Sequence, residues 1–131
     1  MSNEIKAPEE IQYTHIIVMF YLFIACYTDD ELTEEEAFAI KALTKTWCAD
    51  GTSDADVHKI VIESFDWYAS LTSEQFQNLL STGTDILKEN YSAEGIKALI
   101  EDVEKIAKAD GRYSKGEKHN VNIIKQAFGV S

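Results

Sequence analysis

One phrase occurs twice in this chain, and it constrains the fold more than any other feature. The first copy reads Thr28-Asp29-Asp30-Glu31-Leu32-Thr33-Glu34-Glu35-Glu36, the second Ala109-Asp110-Gly111-Arg112-Tyr113-Ser114-Lys115-Gly116-Glu117. They align without a gap at a spacing of 81 residues, Asp29 on Asp110 and Glu36 on Glu117. Each copy follows an apolar helical stretch and sets one acid at a helix end and a second just inside the next helix. Thr33 with Glu36, and Ser114 with Glu117, fit the capping box, in which the hydroxyl accepts a backbone N–H of the new helix and the glutamate reaches back. Glu34, Glu35 and Glu36 suit a helix N-terminus, where the macrodipole favours negative charge. Gly111 stands where a left-handed residue would end the preceding helix. Asp30 takes that place in the first copy and tolerates the left-handed region better than most residues. Leu32 and Tyr113 pin the turns to the core. The phrase therefore builds a helix-turn-helix corner, twice.

Such a corner has no need of an acid at Asp29 or Asp110, because a carboxylate at a helix C-terminus opposes the dipole. Hydrogen bonds to the amides of the following helix would offset that cost. Alternatively the carboxylates collect a hard cation, calcium or magnesium rather than zinc, or face a basic partner. The residues leave these alternatives open.

The rest of the chain reads as helices. Pro8 suits a first helical turn, and a first helix is expected from about Glu9 to Tyr27. Within it Ile16 to Cys26 is continuously apolar. That run is too short for a bilayer, which needs roughly twenty residues, so it reads as a helix buried on all sides. A second helix from about Glu34 to Ala49 carries Ala37, Ile40, Leu43 and Trp47 on one stripe. Asp50-Gly51-Thr52 is a stop. Ser53 caps a third helix with Val57, Ile60, Val61, Phe65 and Tyr68 inward. Thr72 or Ser73 opens a fourth, with Phe76, Leu79, Leu80, Ile86 and Leu87 inward and Gly83 as a bend. A fifth begins near Ser92 with Ile96, Leu99, Ile100, Val103 and Ile106, and a sixth follows Ser114 with Val121, Ile123, Ile124 and Phe128. No segment alternates with period two. The expectation is an all-α, compact six- to seven-helix bundle with an internal pseudo-two-fold repeat: a flexible tail over residues 1–8 and a single domain over 9–131.

A net charge of −11 argues against nucleic acid and against direct binding to anionic lipid, while permitting cations and basic protein surfaces. The first ten residues are polar and acidic and do not read as a signal peptide. Cys26 and Cys48 lie in apolar helical contexts and read as reduced core residues of a cytoplasmic protein. Asp50 to Asp56 holds three acids but lacks the EF-hand spacing and its closing glutamate, so Asp54 and Asp56 belong to a helix start. His15 reads as a satisfied core histidine, and His58 and His119 as surface residues. Met19, Phe20, Tyr21 and Phe23 read as core. Glu63 and Asp66, with Trp67 and Tyr68, are candidates for a groove. There is no nucleophile elbow, P-loop, dinucleotide fingerprint or HExxH, and the expectation is a chain without catalytic residues.

The two phrases, together with Phe65-Asp66-Trp67 and the terminal Ala127-Phe128-Gly129-Val130, resemble the TerB-like tellurite-resistance family over roughly residues 10 to 130. That family is related to the N-terminal domain of a membrane-anchored DnaJ-like co-chaperone. The resemblance implies an all-α bundle with internal pseudo-symmetry, serving as a non-enzymatic module of bacterial tellurite and stress resistance. It implies a protein partner, an integral membrane protein of the same system, and hence a cytoplasmic protein held peripherally at the inner membrane through that partner. It also implies a divalent cation on Asp29 and Glu36 in one corner and Asp110 and Glu117 in the other. Arg112, Ser114 and Lys115 stand where relatives often carry further acids, and the first corner lacks the usual glycine; both departures weaken a cation site. The alternative is a co-chaperone-like protein-interaction domain without metal.

Overall fold

A computed structural model describes residues 7–25, 34–108 and 115–129, with Gly116 and Glu117 as main chain only. Six helices make up the fold: α1 (Tyr13–Ala25), α2 (Glu34–Trp47), α3 (Asp54–Ser70), α4 (Ser73–Asn90), α5 (Ala93–Ala107) and α6 (Lys115–Phe128). No strand occurs among the described residues.

The spacing of 81 found in the corner phrases extends to whole helices. Shifted by 81, α2 lands on α6 residue for residue, and α1 falls within α5. The packing follows the same symmetry: α1 lies on α5, α2 reaches across to α5, and α6 reaches across to α1. Tyr21 of α1 and Asp102 of α5, themselves 81 apart, are joined by a hydrogen bond of 3.0 Å. Two equivalent residues can touch only beside the axis that exchanges them, so the pseudo-dyad passes next to this bond. Helices α3 and α4 are inserted between the copies; both pack on α1.

Local chemistry sets the helix boundaries. Ser53 accepts the Asp56 amide at 3.1 Å to open α3. Thr72 opens α4 with a full capping box, its hydroxyl on the Gln75 amide and the Gln75 side chain on the Thr72 amide. Ser92 caps α5 through the Gly95 amide. Gly51 at φ +87° and Gly129 at φ +73° take the left-handed turn that ends α2's exit and α6. Helix α1 is buried around its whole circumference from Ile16 to Leu22, as its apolar run requires. The five apolar residues expected inward on α5 are all buried.

Four details add to the sequence reading or depart from it. Helix α1 begins at Tyr13, not near Glu9: the Gln12 carbonyl accepts from the amides of His15 and Ile16, which makes Gln12 the cap and leaves Pro8 outside. Gly83 is a point of close approach between helices, since a methyl there would stand 2.9 Å from Ile16 Cγ2 of α1. On α3, Trp67 is buried, while Phe65 and Tyr68 are half-buried. Ile123 of α6 is 38% exposed and does not belong to the core.

Candidate functional site

Of the four acids the sequence singles out, Asp29 and Asp110 lie outside the described residues, and Glu117 is placed only as main chain at the start of α6. Glu36 is described. It sits in the first turn of α2, where the dipole favours a carboxylate. It is 5% exposed, an unusual position for a glutamate. Among the described residues no three His, Cys, Asp or Glu side chains gather as a metal site. Cys26 and the Gly111 turn also lie outside the described residues.

What the described residues do bring together is a buried polar cluster at the pseudo-dyad. Tyr21 donates its hydroxyl hydrogen to Asp102 Oδ2 at 3.0 Å, and Trp47 Nε1–H donates to Tyr21 Oη at 2.8 Å and to Asp102 Oδ2 at 3.3 Å. Burial, reinforced by the Asp102 charge and its hydrogen bond, pushes the Tyr21 hydroxyl far above the ordinary tyrosine range. Tyr21 therefore stays protonated and remains a donor. A carboxylate that is only 8% exposed is thus held by two donors, which is what a buried charge requires. Asp102 carried no sequence signal by itself, since it falls within the apolar stripe of α5; the spacing of 81, applied to Tyr21, would have found it.

A second polar contact lies at the start of α1. The Gln12 amide donates to His15 Nδ1 at 3.0 Å, so that nitrogen carries no proton. Nε2 is then the protonated nitrogen, and it faces Glu63 Oε1 at 3.3 Å. His15, 1% exposed, is the satisfied core histidine its place on an apolar helix predicts, with both ring nitrogens partnered. Glu63 also borders an open cavity of about 460 Å3 between the start of α1, the end of α2 and the face of α3. Tyr13, Trp47 and Tyr91 stand around it, with Asp56 and Lys59 on the α3 side. The groove expected of Glu63, Asp66, Trp67 and Tyr68 together does not form: Glu63 borders this cavity, Tyr68 lines a different one, Asp66 is exposed and Trp67 is buried. Cys48 borders the same cavity as a free thiol, its Sγ bonded to the Thr44 carbonyl, and burial pushes that thiol up. A thiol so held is a poor nucleophile. His58 and His119 are exposed, as expected.

Six helices in this order, two pairs of them related by one internal spacing, accord with the family model for the tellurite resistance protein TerB, which matches residues 15–131. The chain belongs to the TerB family. Neither a curated protein sequence nor a solved structure matches it. The match takes in both corner phrases, α1 from His15, and all of α2 to α6. No helix among the described residues is long and apolar enough to cross a membrane.

Proposed function

We propose that this TerB-family chain is a non-enzymatic binding module of a tellurite and stress resistance system, working through its two acidic corners. The observation that carries the reading is the contact at the pseudo-dyad. Helices α1 and α5 lead into the corners, and they touch at Tyr21 and Asp102, four residues before the equivalent positions Ala25 and Ile106. At 1.5 Å per residue, each helix runs only about 6 Å further before those positions. The contact thus lies about one helical turn before the last described residues of both helices that precede the corner phrases.

In this reading Asp29, Glu36, Asp110 and Glu117 supply hard oxygen ligands for calcium or magnesium, and the loaded corners face a partner protein of the resistance system at the inner membrane. Arg112 and Lys115 set a limit on affinity, since two cations in the second phrase oppose a divalent ion. The test is calorimetric titration of metal-free protein with calcium, magnesium, zinc and manganese, beside the Asp29→Asn/Asp110→Asn double variant. Saturable heat with calcium or magnesium that vanishes in the variant is expected. Heat that persists in the variant, or none with any ion, would sink the cation reading and leave the corners as a metal-free protein-interaction surface, as in the co-chaperone alternative.

A further inference from the structure

The cavity beside α3 is walled by three aromatic rings fixed in a corner arrangement. Tyr91 stands nearly perpendicular to both of its neighbours: 76° to Tyr13 at a centroid distance of 6.1 Å, and 88° to Trp47 at 5.4 Å. Two of the walls are anchored from outside the cavity. The Tyr13 hydroxyl donates to Asn90 Oδ1 at 3.1 Å. The Trp47 indole is tied through Nε1 to Tyr21 and Asp102. The Tyr91 ring, just past the end of α4, is held between the other two by its T-shaped contacts with both. The rings are therefore oriented before any ligand arrives, which removes the ordering cost that weakens most sites.

Charge on the opposite wall has a definite sign. Asp56, Lys59 and Glu63 follow one another along one face of α3 at helical spacing, two acids to one base. Aromatic faces carry negative potential and attract cations most strongly when those cations are weakly hydrated. The cavity, at about 460 Å3, is many times the roughly 30 Å3 share of one water molecule. It suits a bulky cation better than a bare metal ion, whose hydration rings cannot replace. We propose that Tyr13, Trp47 and Tyr91, with Glu63 and Asp56, form a binding site for a small quaternary ammonium cation. This site is separate from the acidic corners and stands whether or not they bind metal.

The decisive experiment compares choline with its neutral isostere 3,3-dimethyl-1-butanol, each titrated into the full chain and followed by the indole N–H resonance of Trp47 in proton–nitrogen NMR. Sodium chloride at matched ionic strength is the control. Choline should give saturable shifts at Trp47, and the neutral isostere should bind at least ten times more weakly. Tyr13→Leu, at a ring 47% exposed, should weaken choline several-fold, and Tyr13→Phe, which keeps the ring but loses its bond to Asn90, should weaken it less. An unchanged amide spectrum shows that each variant is folded. Sedimentation with phosphatidylcholine vesicles separates a free cation from the same head group on a lipid. Equal binding of the isostere would make the cavity a merely apolar cleft and overturn the proposal; so would shifts no larger than those given by sodium chloride.

Discussion

Helices α1 and α5 occupy equivalent places in the repeat, yet their surfaces differ. Position by position along the spacing of 81, Ile16 stands for Lys97, Phe20 for Glu101, Phe23 for Glu104 and Ile24 for Lys105. In α1 three of these are buried and Phe23 packs its ring against Phe76 of α4 at 5.4 Å. In α5 Lys97, Glu101 and Lys105 are exposed and Glu104 pairs with Lys125 at 3.0 Å. The cause is the insertion between the copies. Helices α3 and α4 pack on α1, with α4 meeting Ile16, Phe20 and Phe23, whereas Lys97, Glu101 and Lys105 of α5 stay in water. One supersecondary unit thus serves twice, once as a central helix and once as an amphipathic outer one, and only the residues on the covered side had to change.

The sharpest way to break this comparison is to remove the same position from both copies. Phe20, 1% exposed and packed on Phe128 at 5.4 Å, should lose about 3 to 5 kcal/mol on Phe20→Ala through lost transfer energy and the cavity left behind. Glu101→Ala, at the equivalent exposed position, should change stability by no more than about 0.5 kcal/mol. Urea unfolding with the slope held constant measures both. Comparable losses at the two sites would mean that α5 is covered as α1 is, and the asymmetry would fall.

That asymmetry was legible in the sequence, because an apolar run without polar interruption can only be a helix enclosed on all sides. The caps at Ser53, Thr72 and Ser92 were legible too, since a hydroxyl before a helical period has one obvious use. The start of α1 was not: Pro8 is a local signal, and it lost to a cap built from Gln12 and from the ring of His15, a contact no propensity records. The orientation of Trp67 and Ile123 failed for a related reason, because helical periodicity gives a stripe but not which edge of it a neighbour covers. The candidate site divides likewise. The acids of the corner phrases announce themselves by repetition, whereas Asp102 and the three rings around the cavity come together only when helices from distant parts of the chain pack.

The dyad contact offers a second test, smaller in size. Tyr21→Phe removes one of two donors from a buried carboxylate and should cost about 1 to 3 kcal/mol. It should also alter the alkaline limb of stability. The Tyr21 hydroxyl is raised in the fold above its ordinary value of 10.0. Its contribution is therefore fully present below pH 10 and lost as pH rises further, because only the unfolded chain releases that proton there. The slope is about 1.4 kcal/mol per pH unit for one group. The difference between native chain and variant, measured by urea unfolding from pH 8 to 11, should shrink above pH 10. A constant difference across that range would mean that Tyr21 does not hold its proton against Asp102, and the two copies would then meet through shape alone.

The smallest effect is expected where the first copy meets the insertion. Lys45 of α2 and Asp54 of α3 pair at 2.6 Å on the open surface, and no counterpart exists at the second copy, whose equivalent residue is Gln126. The hydrogen bond from Lys45, and then its charge, hold the Asp54 carboxyl below its ordinary value of 3.8. The sign follows: whatever stability the pair contributes is present above pH 3.8 and fades as pH falls through the lowered value. Both side chains are solvated, so Lys45→Met should lower the urea midpoint only slightly at neutral pH and low salt. The difference should vanish in 1 M sodium chloride, where the screening length falls to about 3 Å. A difference that survives high salt would show that the Lys45 stem, not its charge, ties α2 to α3, and that the insertion is fastened to the first copy by packing alone.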